Sequence, residues 1–192
     1  MSVPTLAVTL AALALACPPA FAATPWAIES QESRLGFVAT WEGTPFDGVF
    51  HRFRGAIDFE PTDLAGSRFD VKVDLSSADT RSADRDEALA GSEWFFTRRY
   101  PEATYVTSAF RDLGGGRFEA QGALTLKGVT RPVVLPFTWT EAGDAATLKG
   151  ETRLVRTDFN VGEGEWKAGD VIGLEVRVVV DLRLRRASGP KR

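Results

Sequence analysis

Residues 171–184 read VIGLEVRVVVDLRL. Within this run Leu174, Val176, Val178, Val180, Leu182 and Leu184 alternate with Glu175, Arg177, Val179, Asp181 and Arg183, and a period of two places the two sets on opposite faces of a β-strand. The run is long for a strand, and a long strand favours a tall, tilted barrel over a two-sheet sandwich, although periodicity alone separates neither from the other. Working back from it, Thr147 to Val155, Val133 to Trp139, Phe118 to Leu126 and Thr104 to Phe110 are further strand candidates. Turns at Lys127 to Thr130 and at Gly114-Gly115-Gly116 space them as antiparallel neighbours. Phe69, Val71, Val73 and Leu75 alternate with Asp70, Lys72 and Asp74, after a break at Pro61 to Gly66. Leu35, Phe37, Ala39 and Trp41 form one more run, and Phe53, Ile57 and Phe59 another; with Glu42 to Gly48 between them, the two are expected to pair as a hairpin with a longish loop. Asp84 to Phe96 breaks the alternation: Asp84 and Glu87 mark a helix start and Gly91 a stop, which predicts a short helix. The fold class expected is all-β, about eight antiparallel strands with one short helical insertion.

The composition agrees with one globular domain. Of 192 residues, 44% are hydrophobic and 26% charged, the balance of a chain able to bury a core. A net charge of −3 provides no overall field for a nucleic-acid backbone, so nucleic acid is not an expected partner. Residues 1–22 carry no charged side chain, run apolar from Leu6 to Ala16 and end in Ala20-Phe21-Ala22, the pattern of a cleaved secretion leader. The alternative is a lipoprotein signal with Cys17 as the modified residue, which Ala14 three positions earlier fits poorly. Cleavage after Ala22 would leave a chain without cysteine, suited to an oxidising compartment without disulfides, and a bacterial periplasm is the expected location. Residues 23–186 are then the domain, and 187–192 close a basic tail, with Arg183, Arg185, Arg186, Lys191 and Arg192, that either frays in solvent or touches anionic lipid headgroups.

Few residues offer chemistry. His51 is the single histidine, so neither a metal triad nor a nucleophile pair can be assembled around it, and it reads as a structural or rim residue. Asp84, Asp86 and Glu87 beside Arg81 and Arg85 form a carboxylate cluster that general acid/base chemistry would need, but a helix start accounts for the same cluster. No catalytic residue, metal or cofactor is assigned. A lipid hydrolase or isomerase using Asp84 or Asp86 is kept as the lesser alternative, and a stress-response or redox-complex partner protein as another. Aromatic side chains are spread over nearly every strand, Phe37, Trp41, Phe53, Phe59, Phe69, Phe110, Phe118, Phe137 and Trp139 among them. They suit either a packed core or a barrel whose inward surface exceeds what it fills, leaving a lined cavity.

Several motifs in fixed order resemble the YceI-like family of lipocalin-like, polyisoprenoid-binding proteins. They are Trp26-x-Ile28, Ser33-x-Leu35-x-Phe37, Gly48-x-Phe50-x-x-Phe53-x-Gly55-x-Ile57-x-Phe59, and Asp79-Thr80 followed by Arg85-Asp86 and Leu89. Trp94-Phe95-Phe96, Tyr100-Pro101, and Gly122-x-Leu124-Thr125-Leu126-x-Gly128-Val129-Thr130-x-Pro132-Val133 continue the series, and Arg156-x-x-Phe159-x-Val161-Gly162 is similar to its late loop. The resemblance covers Trp26 to Leu184. It implies an extended antiparallel barrel with a deep apolar pocket for an isoprenoid tail, in a periplasmic protein without catalytic residues. On that footing the lining is expected from Leu35, Phe37, Trp41, Phe53, Ile57, Val71, Val73, Phe96, Leu124, Leu126, Phe137, Val176 and Val178. Arg81 and Arg85, with Arg98 and Arg99, are expected at the mouth, where guanidinium forks match the oxygens of a diphosphate headgroup. The implied ligand is a polyprenyl lipid, a polyprenyl diphosphate or a quinone tail; a monomer and a homodimer are both left open. The family often carries a histidine near Arg34 or Gly36 and another where this chain has Lys127, so no role is carried over to those positions.

Overall fold

The computed structural model describes residues 23–187. The leader with Cys17, and the tail beyond Ala187, lie outside the described residues. Eleven strands are formed: β1 (Pro25–Ile28), β2 (Arg34–Trp41), β3 (Thr44–Phe50), β4 (Phe53–Asp58), β5 (Arg68–Asp74), β6 (Ala78–Asp79), β7 (Glu102–Gly114), β8 (Arg117–Leu126), β9 (Val129–Ala142), β10 (Ala145–Val155) and β11 (Glu175–Arg186). Among the described residues one α-helix, α1 (Ala83–Ala90), interrupts them. Eight of the strands close a ring in the order β1-β4-β5-β7-β8-β9-β10-β11 and back to β1, all antiparallel. The fold is therefore the closed antiparallel barrel with one short helix, and closure removes the sheet edges that an open sheet would expose.

The ring closes between the two ends of the domain. β1 covers β11 from Trp26↔Arg186 to Ile28↔Leu184, and after five residues β2 takes over the same edge from Arg34↔Asp181 to Val38↔Arg177. Ser33 marks the handover: its hydroxyl donates to Arg183 O at 3.3 Å and accepts the Arg183 amide at 2.9 Å.

The expected hairpin between residues 35–41 and 53–59 is corrected. Glu42 and Gly43 both have positive φ, 47° and 77°, the geometry of a two-residue hairpin turn. The segment taken as a loop is strand β3, paired with β2 from Trp41↔Thr44 to Leu35↔Phe50. β4 pairs with β1 and β5 instead. Pro45 and Gly48 suggest a loop in the sequence, but Gly48 packs beneath the Phe37 ring, where an added Cβ would lie 2.1 Å from Cζ. The last strand also begins later than expected, at Glu175. Val171 to Leu174 form a rim segment instead, with Ile172 bridged to Trp41.

Packing divides the barrel into two ends. At the end carrying the β7–β8 and β9–β10 turns, Phe59 is fully buried and meets Phe69, Phe110, Phe118, Phe137 and Trp139 at centroid distances between 4.7 and 5.8 Å. Trp26, Ile57, Leu148, Leu182 and Leu184 complete this plug. A smaller cluster of Leu75, Phe95, Ala103, Phe159 and Val161 lies at the other end, where α1 and the connection from β10 to β11 fold over the rim.

Candidate functional site

Between the two clusters the barrel is hollow. The cavity measures ≈ 360 Å³ and its wall is almost wholly apolar: Leu35, Phe37 and Ala39 from β2, Phe53 from β4, Val71 and Val73 from β5, Tyr105 from β7, Leu124 and Leu126 from β8, Val133 and Leu135 from β9, Leu154 from β10, and Val176, Val178 and Val180 from β11. Ile57, Phe69, Leu148 and Leu182, members of the plug, form its floor. Strand β11 records the transition along one face: Val176, Val178 and Val180 are only half-buried, whereas Leu182 and Leu184 in the same register are 5% and 2% exposed. Inward-facing valines that stay accessible line a space the protein does not fill with its own side chains.

The rim is built by loops. Trp41 and Phe46 of the β2–β3 hairpin, Asp84, Arg85, Ala88 and Leu89 of α1, Trp94 and Phe95 after it, and Arg156, Trp166 and Ile172 all face the cavity. Trp166 links two of the others, with centroids 6.4 Å from Trp41 and 5.9 Å from Trp94.

Of the residues expected to line the site, Leu35, Phe37, Trp41, Phe53, Ile57, Val71, Val73, Leu124, Leu126, Val176, Val178 and Arg85 stand on the cavity wall. Three do not. Phe137 lies one step too deep, 3% exposed and stacked on Phe118 at 5.6 Å within the plug. Phe96 has φ 52° and turns its ring against Tyr100 at 6.1 Å, leaving Trp94 and Phe95 on the wall. Arg81, at φ 60°, points outward to Asp47 at 3.8 Å. Arg98 and Arg99 are exposed and off the wall, Arg99 lying over Tyr100 at 5.4 Å. The expected cluster of four arginines at the mouth thus reduces to Arg85. Its Nε and Nη2 donate to Thr80 Oγ1 and O at 3.2 and 3.0 Å, and its guanidinium covers the Phe46 ring at 4.9 Å.

Of the carboxylates on α1, Asp84 faces the cavity and Asp86 is a structural tie. Asp86 Oδ1 accepts from Thr80 N at 2.8 Å and from Thr80 Oγ1 at 2.7 Å, so it braces the strand-to-helix corner. Ser82, the residue before the helix, makes no side-chain cap bond. His51 Nε2 meets Asp79 Oδ2 at 2.8 Å on the surface, and this contact, with the Arg81 amide, holds the Asp79 carboxyl below its usual range.

Two buried cations at the rim have roles that sequence reasoning missed. Arg156, 4% exposed, donates only to carbonyls: Gly173 O at 3.0 Å, Val161 O at 2.9 Å, Gly162 O at 3.0 Å, Ile172 O at 2.7 Å, and Trp166 O. It thereby staples the whole connection between β10 and β11. Burial pushes its pKa down. Lys127, 7% exposed, reaches Glu93 O, Asn160 O and Glu163 Oε2 at 3.2, 2.6 and 2.8 Å, tying the segment after α1 to the same connection. The Arg156-x-x-Phe159 motif was the available signal for the first; for Lys127 the signal was its place in a tight turn, at φ 49°.

Comparison with known proteins bears on this geometry. A solved structure of Burkholderia cenocepacia BcnA superposes with TM-score 0.79 at 31% identity, covering 81% of this chain and 98% of that one. A polyisoprenoid binding domain from Saccharophagus degradans superposes with TM-score 0.69 at 17% identity, covering 84% and 98%, a likeness of fold. A UPF0312 protein of Vibrio parahaemolyticus is 30% identical over 159 residues, covering 78% of this chain and 84% of the relative. The model of the YceI-like domain matches residues 26–184. With nearly the whole barrel matched from Trp26 to Leu184, the chain belongs to the family of YceI-like domains.

Proposed function

We propose that the protein is a non-enzymatic carrier that holds the apolar chain of one polyisoprenoid lipid in the hollow end of the barrel, working in the periplasm after removal of its leader. The observation that carries this reading is the run of half-buried valines and leucines around a ≈ 360 Å³ cavity above a fully packed plug. Such a space loses contacts while empty and regains them around a hydrocarbon guest. Each methylene buried contributes ~0.8 kcal/mol, so about ten give ~8 kcal/mol before the cost of ordering the chain. The charged side chains on the wall, Asp84, Arg85 and Arg156, belong to the rim segments, so a polar headgroup is best met there. The Saccharophagus domain of like fold, described as polyisoprenoid binding, supports the same ligand class.

The test is extraction of the protein purified from its host, followed by mass spectrometry, and uptake of the C20 alcohol geranylgeraniol by delipidated protein. A prenyl lipid in the extract and saturable uptake are expected. An empty protein that also takes up no geranylgeraniol overturns the reading.

A further inference from the structure

Along the cavity, the ladder between two strands of the barrel wall stops short. β10 pairs with β11 over its full length, from Ala145↔Arg185 to Val155↔Glu175, but with β9 only from Ala145↔Ala142 to Gly150↔Phe137. β9 meanwhile stays paired with β8 as far as Val129. Residues 129–136 and 151–155 therefore face each other across a seam with no ladder between them. Side chains on both banks line the cavity, Val133 and Leu135 on one and Thr152 and Leu154 on the other. Side-chain bonds cross the seam: Thr152 Oγ1 donates to Val134 O at 2.9 Å, and Arg131 Nε to Asp158 O at 3.3 Å toward the rim.

Proline accounts for the missing ladder. Val134 O accepts from Thr152, and Pro136 O stands 2.8 Å from where a Cβ on Gly150 would sit, so the even-numbered residues here turn their backbone toward β10. Val133 O, by contrast, takes the Tyr105 hydroxyl and Trp139 N donates to Gly116 O, both on the β8 side. Residues 132, 134 and 136 are those whose amides would reach β10, and Pro132 and Pro136 have no N–H to donate. Val134 and Val155, 45% and 42% exposed, place apolar surface on the outer banks.

We propose that the β9–β10 seam is a side port, a part of the wall that opens to pass an uncharged apolar chain between the cavity and its surroundings. A seam whose ladder is interrupted, with two of its amide donors missing, opens at lower free energy than a continuous ladder, and an aliphatic chain finds no charged group on the cavity face of either bank. The inference rests on the carrier reading above and adds its route of exchange.

The test changes outward residues that do not line the cavity. In a Pro132→Val, Pro136→Val double variant two donors are restored; in Val134→Pro the remaining one is removed. Stopped-flow fluorescence of the cavity tryptophans follows geranylgeraniol, with thermal melts confirming that each variant folds. The double variant is expected to slow association and dissociation alike by roughly fivefold to tenfold, leaving Kd unchanged. Val134→Pro is expected to speed both. If one variant fails to fold, the other decides. Rates equal to those of the unsubstituted protein, or a shift in Kd without matched shifts in both rates, overturn the port. No uptake by the unsubstituted protein overturns the carrier reading itself, and the port with it.

Discussion

Arg156 shows how one side chain can organise a loop. Its guanidinium has no carboxylate partner among the described residues; five carbonyls of the β10–β11 connection share it, and the Trp94 ring lies 5.3 Å beneath. Arg156→Met should leave those carbonyls unsatisfied, costing about 2–4 kcal/mol in chemical denaturation and raising amide exchange through residues 156–173. Arg156→Lys should not rescue, because a point charge cannot serve a planar fork's set of acceptors. Tyr105 makes a second prediction, set by pH. Its phenol donates to Ala120 O and Val133 O at 2.9 and 3.2 Å on the cavity wall, and burial pushes its pKa from 10.0 to about 12. A folded value above the unfolded one means that the fold favours the neutral phenol. This contribution, at most about 2–3 kcal/mol, is whole below pH 10 and is lost as pH rises toward 12. Unfolding free energies measured from pH 8 to 12 should fall in that window, and Tyr105→Phe should flatten the fall.

At the scale of the element, alternation reports which face a side chain takes but not how deep it sits along the barrel. Val178 and Leu184 share one face of β11, yet the first borders the cavity and the second belongs to the plug. The same blindness put Phe137 in the expected lining, where Val133 and Leu135 on the same face of β9 stand instead. The β2–β3 hairpin escaped for a different reason. A two-residue turn leaves little signature, and Pro45 and Gly48 look like loop residues although one sits in an outer strand and the other under an aromatic ring. Depth separates two classes of substitution. Phe59→Ala, in the plug, should cost about 3–5 kcal/mol while the remaining folded protein still takes up geranylgeraniol. Val178→Asp, on the half-buried wall, should abolish uptake at a smaller loss of stability, because a half-buried position keeps water within reach of the carboxylate. Denaturant titration paired with an uptake assay reads both; equal loss of uptake per unit of lost stability would contradict the division.

At the scale of the whole molecule, closure was the least legible feature. β1 and β11 meet from opposite ends of the domain, and such a pairing leaves no local trace beyond strands enough to complete a ring. The long alternating run near residue 180 pointed to a barrel through its length, while the resemblance to a family supplied the pocket. One barrel packed at one end and hollow at the other has a thermodynamic consequence. On the carrier reading, a ligand would bind the folded state alone, since the wall is assembled from strands spread along the whole domain, so binding would add directly to stability. At about one hundred times Kd, geranylgeraniol should add ~2.7 kcal/mol, a rise in Tm of roughly 5–10 °C for a domain of this size. The heat-capacity change on binding should be negative, as burial of apolar surface requires. Val178→Asp should melt at the same temperature with and without geranylgeraniol, and so should the unsubstituted protein given a short polar alcohol. If the polar alcohol raised Tm equally, the stabilisation would come from the solvent and not from the cavity.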